Sequence, residues 1–185
     1  MNSINWNDII LSYRLLDKMD EAKRAGKIRF VGFTFHDNFD MFDPKQLPHI
    51  INKYGVTSFC APPTVYRYLV RKGIPDMPTL KHASTAGEML APEVFRKFTE
   101  RTGLSLCEGY GQTETTLSIA NLDGSAIKIG AMGRPSPLYD IDLVDLDGKP
   151  VPDGETGEIV VHTENGAPCG LFLGYYNDEE RTKEV

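Results

Sequence analysis

The sequence predicts an α/β protein: a partial parallel sheet with flanking helices, followed by a small antiparallel β subdomain. Through the first two thirds, short apolar runs alternate with helical patterns that end at Gly, as in β-α-β units of a parallel sheet. After Asn121 the apolar period changes to two and Asp-Gly pairs appear, which is typical of antiparallel hairpins. The 185 residues are enough for one domain or two small ones.

The N-terminal part, residues 1–42, predicts one helix–strand unit. Apolar residues from Leu11 to Ala22 recur at four, four and three residues, so a helix is expected over Asp8–Ala25 with Gly26 as its stop. In the next segment, Lys27–His36, apolar residues occupy both sets of alternating positions, which would face opposite sides of a strand. That pattern predicts a strand covered on both faces.

Residues 43–121 predict the α/β part. Asp43 as N-cap and Pro44 at the first helical position open a helix that reaches Tyr54 and stops at Gly55. The remaining predicted elements alternate in the same way: strand Val56–Ala61, a helix from Pro63 to before Gly73, strand Leu80–Thr85, a helix from Pro92 to Gly103, and strand Leu104–Cys107.

Residues 122–185 predict the β-rich part. Tyr139, Ile141 and Leu143 alternate with aspartates, and Asp147-Gly148 and Asp153-Gly154 supply turns of hairpin type. Glu158–Val161 is then the returning strand. We expect this part to pack on the α/β part.

Charge and composition exclude several function classes. Twenty Lys and Arg against 26 Asp and Glu give a net charge of −6, without a basic cluster to neutralise nucleic acid or an anionic membrane. No apolar run is long enough to span a membrane, and the N-terminus does not resemble a signal peptide. The 3 Cys are widely spaced and predict no zinc site. By elimination we expect a cytoplasmic protein.

The strongest local signal is CEGYGQTETT, Cys107–Thr116, which directly follows a predicted buried strand. Ligands of open parallel sheets bind at the carboxyl ends of the strands. Glycines permit close backbone approach, Tyr110 offers a flat face, and the Glu114 carboxylate suits Mg²⁺. A nucleotide site is one interpretation. A glycine-containing turn, with Thr and Glu capping a following helix, is the other.

A second cluster, STAGEML at Ser84–Leu90, also follows a predicted strand and exposes Gly and Glu. Two such loops at the ends of parallel strands could face each other across one cleft.

Six motifs in order make residues 43–185 resemble the AMP-forming acyl-CoA synthetases of the adenylate-forming superfamily. They are FCAPPTVYR (Phe59–Arg67), TAGEML (Thr85–Leu90), EGYGQTET (Glu108–Thr115), and the segments Gly130–Gly148, Gly154–Val161 and Gly170–Asp178. The resemblance implies an internal part of an adenylate-forming N-terminal domain. It also implies activation of a carboxylic acid with ATP and Mg²⁺ to an acyl-adenylate, followed by transfer to coenzyme A.

The resemblance assigns roles residue by residue. Thr113 and Glu114 are the expected catalytic pair, with Thr113 on the α-phosphate and Glu114 as the Mg²⁺ ligand. The acyl pocket is assigned to Gly111, where acetate-specific relatives have Trp, so a medium-chain or aromatic acid is expected. The expected ATP/AMP-binding residues are Gly87, Glu88, Met89 (where the family usually has Pro), Glu108, Gly109, Tyr110, Gln112 and Thr113.

Parts of the family pattern do not occur in these 185 residues. There is no Ser/Thr/Gly-rich phosphate loop ending in Lys and no C-terminal domain with its catalytic Lys. We therefore expect this chain alone to be inactive, because nothing would stabilise the charge that develops during adenylation. Exposed apolar surface would also favour self-association.

Upstream of Phe42 the segment Leu15–Asp37 resembles instead one helix–strand unit of an aldo-keto reductase. That resemblance keeps an NADPH-dependent oxidoreductase fragment open as an alternative. A non-catalytic nucleotide-binding or structural module is a third.

Overall fold

The computed structural model describes residues 12–32, 46–122 and 124–184. The chain divides into two compact units, Met1–Gln46 and Leu47–Val185. The predicted boundaries after residues 42 and 121 stay predictions.

The first unit contains helix α1, Leu15–Arg24. Its end is fixed by a Schellman motif: Gly26 has a positive φ of 70°, its N–H donates to Lys23 C=O, and Lys27 N–H donates to Ala22 C=O. The predicted helix is confirmed over this range. The residues Ser12–Arg14, which were also predicted to be helical, form a turn, and Asp8–Leu11 lie outside the described part.

The strand predicted over Lys27–His36 is wrong for the described residues Lys27–Gly32, which form no strand. The Phe30 side chain is 78% exposed, and Ile28 and Val31 are also exposed. A strand needs a neighbour to take its backbone hydrogen bonds and a layer to cover its apolar side chains, and an apolar run alone supplies neither. Residues 33–36 lie outside the described part.

The second unit begins with α2, Leu47–Tyr54. Three parallel strands then alternate with two helices, in the order β1 (Ser58–Cys60), α3 (Pro63–Lys72), β2 (His82–Ala86), α4 (Pro92–Thr102) and β3 (Leu106–Gln112). β1 pairs with β2 and β2 with β3, both in parallel. The predicted parallel sheet is confirmed.

Local sequence explains the two helices that cover this sheet. Each opens with Pro at its first position, where the missing N–H costs nothing. α4 ends at Gly103, which adopts a left-handed conformation and donates its N–H to Thr99 C=O. The core between helices and sheet includes Tyr66, Phe98 and Leu106, which have no exposed surface.

Tyr66 connects a helix to two strands. Its ring packs edge-on against Phe98, with centroids 5.1 Å apart, and its hydroxyl donates to the carbonyls of Phe59 (3.1 Å) and Ser84 (3.0 Å). Burial raises the pKa of the Tyr66 phenol well above its usual value. The hydroxyl therefore stays protonated, and can donate, at neutral pH.

Tyr66→Phe is expected to lower the free energy of unfolding by about 1–2 kcal/mol, because the two carbonyls lose a buried donor while the packing volume is kept. Urea unfolding measures the change. Tyr68→Phe, a half-buried position on the same helix, is the control and should change stability by less than about 0.5 kcal/mol. Equal effects of the two substitutions would show that the hydrogen bonds of Tyr66 contribute nothing.

Past β3 the sheet becomes mixed. β4 (Thr116–Ala120) pairs antiparallel with β3, and β5 (Arg134–Pro135) pairs antiparallel with β4, giving the order β1-β2-β3-β4-β5. The prediction that the strand stops at Cys107 and gives way to a loop is wrong. The residues Glu108–Gln112 continue the strand and form a hairpin with β4.

The last part of the chain confirms the predicted antiparallel pair. β6 (Ile141–Val144) pairs with β7 (Glu158–Val161), with Ile141 opposite Val161. A short helix, α5 (Glu179–Lys183), begins at Asp178, whose carboxylate accepts the Arg181 N–H. Among the residues described, no helix is long and apolar enough to cross a membrane.

Candidate active site

The two segments singled out in the sequence meet at one edge of the sheet. β2 and β3 are neighbouring parallel strands in which Ala86 lies opposite Gly109. The segment Gly87–Leu90 leaves the carboxyl end of β2 and contacts β3 through a hydrogen bond from the Leu90 N–H to the Glu108 side chain. Parallel strands place their carboxyl ends together, which is why two loops that are distant in sequence reach the same place.

The Glu108 side chain holds the neighbouring segment Gly87–Leu90 through a hydrogen bond. Its side chain is buried, and its Oε1 accepts the backbone N–H of Leu90 at 2.9 Å. Its own carbonyl accepts the N–H of Asn121 at 2.8 Å. The predicted nucleotide-binding residue thus borders the site, but its carboxylate already satisfies a buried donor.

Glu88 points its carboxylate at helix α3. Thr64 Oγ1 donates to both carboxylate oxygens, at 2.9 and 2.8 Å, and Arg67 Nη2 lies 3.0 Å from Oε2. The sequence assigned no separate role to Thr64 or Arg67. Their spacing of i and i+3 places them on one helix face, but it does not identify Glu88 as their partner.

Gly87 and Met89 flank Glu88 in the same segment. Gly87 has a φ of +91°, which only glycine adopts without strain. The Met89 side chain is 85% exposed at the tip of the segment. Both predicted residues therefore lie at the surface, at the end of β2.

The two glycines of the hairpin are there because the strands approach closely. A Cβ on Gly109 would lie 2.5 Å from Leu117 Cδ1, and a Cβ on Gly111 would clash with the backbone of Thr116. The register shifts between Tyr110 and Gly111, so the hairpin carries a bulge at this point. The assignment of Gly111 to an acyl pocket stays a prediction.

The turn of the hairpin holds the predicted catalytic pair. Gln112 and Thr115 close it, since the Gln112 N–H donates to Thr115 Oγ1 and the Thr115 N–H donates to the Gln112 carbonyl, each at 3.2 Å. Thr113 is exposed at the apex and Glu114 follows it, half-buried. Tyr110 lies two residues before the turn, paired with Ile119.

Two residues from the C-terminal part of the chain form hydrogen bonds with Glu114. Its Oε1 accepts the hydroxyl of Tyr175 at 2.8 Å, and its carbonyl accepts the Phe172 N–H at 2.8 Å. The Tyr175 hydrogen bond, with help from the residue's own backbone, lowers the pKa of the Glu114 carboxyl below its usual value. Arg181 lies over the Tyr175 ring, 4.3 Å from its centroid. The carboxylate is thus ionised and held in place at neutral pH.

Tyr175→Phe is expected to raise the pKa of Glu114 toward its usual value, because it removes the hydrogen bond that contributes most to lowering that pKa. A carboxyl with a lowered pKa stabilises the folded state above its unfolded-state pKa and loses that contribution as the pH falls through its folded-state pKa. The stability difference between the two proteins should therefore be present at neutral pH and vanish in acid. Carboxyl NMR titration measures the pKa, and Tyr176→Phe, at an exposed neighbour, should leave it unchanged.

The donor set fits a magnesium ion that is bound together with phosphates. In the described ranges no three His, Cys, Asp or Glu side chains come together as a metal cluster. Mg²⁺ is commonly held by one or two carboxylates plus the phosphates of its nucleotide. The single ionised carboxylate of Glu114 is sufficient for that mode.

The chain is similar to known acyl-CoA synthetases. The sequence model of the AMP-binding enzyme family matches residues 31–176. The Homo sapiens protein "Acyl-coenzyme A synthetase ACSM3, mitochondrial" is 41% identical over 152 residues, which are 81% of this chain and 26% of that protein. The Rattus norvegicus protein of the same name is 36% identical over an alignment 191 residues long, which covers 98% of this chain and 33% of that protein. This chain thus spans only a minor part of the length of these relatives.

A solved structure shares the fold. The anthranilate CoA ligase AuaEII, in complex with anthranoyl-AMP, superposes with a TM-score of 0.67 at 28% sequence identity. The match covers 77% of this chain and 27% of that chain. The mixed sheet with flanking helices is therefore a known arrangement.

These similarities overturn two expectations from the sequence. The aldo-keto reductase resemblance is wrong, because the family match begins at residue 31, inside Leu15–Asp37, and the rat synthetase aligns with 98% of the chain. The cytoplasmic expectation is also contradicted, since both relatives are mitochondrial proteins. The six ordered motifs, the mixed sheet and the match over residues 31–176 agree with one another: the chain belongs to the AMP-binding enzyme family.

Proposed function

We propose that this chain is part of an AMP-forming acyl-CoA synthetase, which is an acid–thiol ligase. In that enzyme its residues line one side of the nucleotide-binding site and supply the carboxylate that binds the metal ion. The observation that carries the proposal is the meeting of Gly87–Leu90 with β3, the first strand of the β3–β4 hairpin, whose turn holds Glu114 in place through Tyr175. The substrates are a carboxylic acid, ATP and coenzyme A. The partners do not include nucleic acid, in keeping with the net charge of −6.

In the proposed reaction a carboxylate oxygen of the acid attacks the α-phosphorus of ATP and pyrophosphate leaves. The thiol of coenzyme A then displaces AMP and forms the thioester. Magnesium, when bound, neutralises charge on the phosphates. In this chain Glu114 would hold the ion, and the exposed Thr113 hydroxyl would donate to the α-phosphate. The other proposed nucleotide contacts are Gly87, Glu88, Met89, Glu108, Gly109, Tyr110 and Gln112.

The test measures carboxylate-dependent exchange of labelled pyrophosphate into ATP. The protein assayed is the full-length product of the parent gene. Exchange that requires both a carboxylic acid and Mg²⁺ supports the proposal. Nucleotide binding without any exchange supports the non-catalytic nucleotide-binding module instead. The 185 residues alone should yield no acyl-CoA, and formation of acyl-CoA by them would contradict that part of the proposal.

The acid is proposed to be medium-chain or aromatic rather than acetate. The proposal rests on the resemblance, in which acetate-specific relatives have Trp where this chain has Gly111, and not on open space beside that residue, because a Cβ there would clash with the Thr116 backbone. Each CH₂ of a longer acid that is buried contributes about 0.8 kcal/mol. The anthranoyl-AMP complex of AuaEII supports an aromatic acid. kcat/KM is expected to be higher for benzoate or octanoate than for acetate. A preference for acetate would show the pocket interpretation to be wrong.

Self-association is proposed from exposed apolar side chains. Leu146, Leu173 and Tyr176 are almost fully exposed. Apolar side chains left in water favour association of copies. Sedimentation velocity should show concentration-dependent species, and a single monomeric species at all concentrations would contradict the proposal.

A further inference from the structure

Three side chains make a closed network between helix α3 and the segment that follows β2. The Thr64 hydroxyl donates to the Glu88 carboxylate and accepts from Arg67 Nη2 at 3.2 Å. Arg67 Nη2 also reaches Glu88 Oε2 at 3.0 Å. Each of the three therefore contacts the other two, and Glu88 lies 24 residues from Thr64 and 21 residues from Arg67 in the sequence.

A second carboxylate holds the same segment two residues later. Glu108 Oε1 accepts the Leu90 N–H, and Leu90 is itself buried. The segment is thus held on both sides, by α3 through Glu88 and by β3 through Glu108. Met89, between the two attachments, is the exposed tip.

The network does little for overall stability. The Arg67 and Glu88 side chains are 54% and 45% exposed, and an exposed ion pair of this kind contributes between nothing and about 1 kcal/mol. The network instead fixes the orientation of the Glu88 carboxylate. A carboxylate held by a hydroxyl and a guanidinium together has one orientation, and that orientation aims it at the helix rather than outward over the segment.

We propose that Thr64 and Arg67 are positioning residues that fix Gly87–Leu90 in the conformation that receives the nucleotide, an inference that rests on the proposed function. Glu88 then acts through α3, and the surface offered to the base is the backbone of the segment together with Met89. A segment that is already ordered loses less conformational freedom when the ligand binds, so its affinity is higher.

The test compares four single variants of the purified chain. Thr64→Val removes the hydroxyl at constant shape, Thr64→Ser keeps it, Arg67→Gln removes the charge, and Arg71→Gln is the control on the same helix, also exposed. Hydrogen exchange of the amides in Gly87–Leu90 reports the order of the segment, and calorimetric titration with AMP reports affinity.

Thr64→Val and Arg67→Gln are each expected to speed exchange in the segment and to raise the Kd for AMP by up to about fivefold, the factor that corresponds to about 1 kcal/mol. Thr64→Ser should restore both values to within about twofold of the unsubstituted chain, and Arg71→Gln should change neither. The melting temperature should shift by no more than about 2–4 °C in all four, the shift that about 1 kcal/mol causes in a chain of this size.

Two results overturn the inference. One is exchange in Gly87–Leu90 that is the same in Arg67→Gln and Arg71→Gln. The other is faster exchange with an unchanged Kd for AMP. If the unsubstituted chain binds no AMP, the proposed function is contradicted as well, and this outcome is distinguished from the first two because it appears before any substitution is made.

Discussion

In the full-length protein of the parent gene, Glu114→Gln is expected to lower the rate of carboxylate-dependent pyrophosphate exchange by about 10²-fold or more, the usual cost of removing one group that stabilises transition-state charge. Glutamine keeps an oxygen that can accept the Tyr175 hydroxyl, so the fold of the hairpin is retained. What is lost is the negative charge that binds Mg²⁺. The deficit should therefore shrink as the Mg²⁺ concentration rises.

Glu155→Gln is the matched control, at an exposed carboxylate in the turn before β7. It should leave the exchange rate within about twofold of the unsubstituted protein. If Glu114→Gln behaves like this control at limiting Mg²⁺, Glu114 is not the metal ligand and the assignment of the pair Thr113 and Glu114 is wrong.

Gly111→Ala is expected to cost about 3 kcal/mol of unfolding free energy. The added Cβ would clash with the Thr116 backbone, so the β3–β4 hairpin must open and give up packing and ladder hydrogen bonds. Opening the hairpin also moves the turn that carries Glu114, so exchange activity should fall together with stability. Urea unfolding and the exchange assay measure the two effects.

The control for this substitution is Gly32→Ala, where the new Cβ would meet no atom within 4 Å and no positive φ is required. It should change stability by less than about 0.5 kcal/mol. A Gly111→Ala protein as stable as this control would contradict the close approach of the strands. The same clash makes Gly111→Trp unsuitable as a test of acyl-chain selectivity, because it would disturb the hairpin before it filled a pocket.

The helices over the sheet were predictable because their signals are local. α3 and α4 open at Pro and stop at Gly, and both run where the sequence predicts them. The strand predicted at Lys27–His36 failed over its described residues for the opposite reason. An apolar run becomes a strand only beside a partner, and the sequence does not say whether a partner exists.

The extent of β3 was also missed. Gly109 and Gly111 have low strand propensity and suggested a loop, whereas they are required where β4 approaches. The roles assigned to the candidate residues stay predictions, and they did not depend on the element that carries each residue, because they were assigned from the order of the motifs. Their partners were not predictable, since Thr64 lies 24 residues from Glu88 and Tyr175 lies 61 residues from Glu114.

Photolabelling with 8-azido-ATP, followed by mass spectrometry of the labelled peptides, tests most directly whether the nucleotide binds at this sheet edge. Label is predicted in peptides that contain Gly87–Leu90 and Glu108–Thr113, with competition by AMP. Label confined to other segments, such as the β6–β7 pair, or label that AMP does not displace, would contradict a nucleotide site at the ends of β2 and β3.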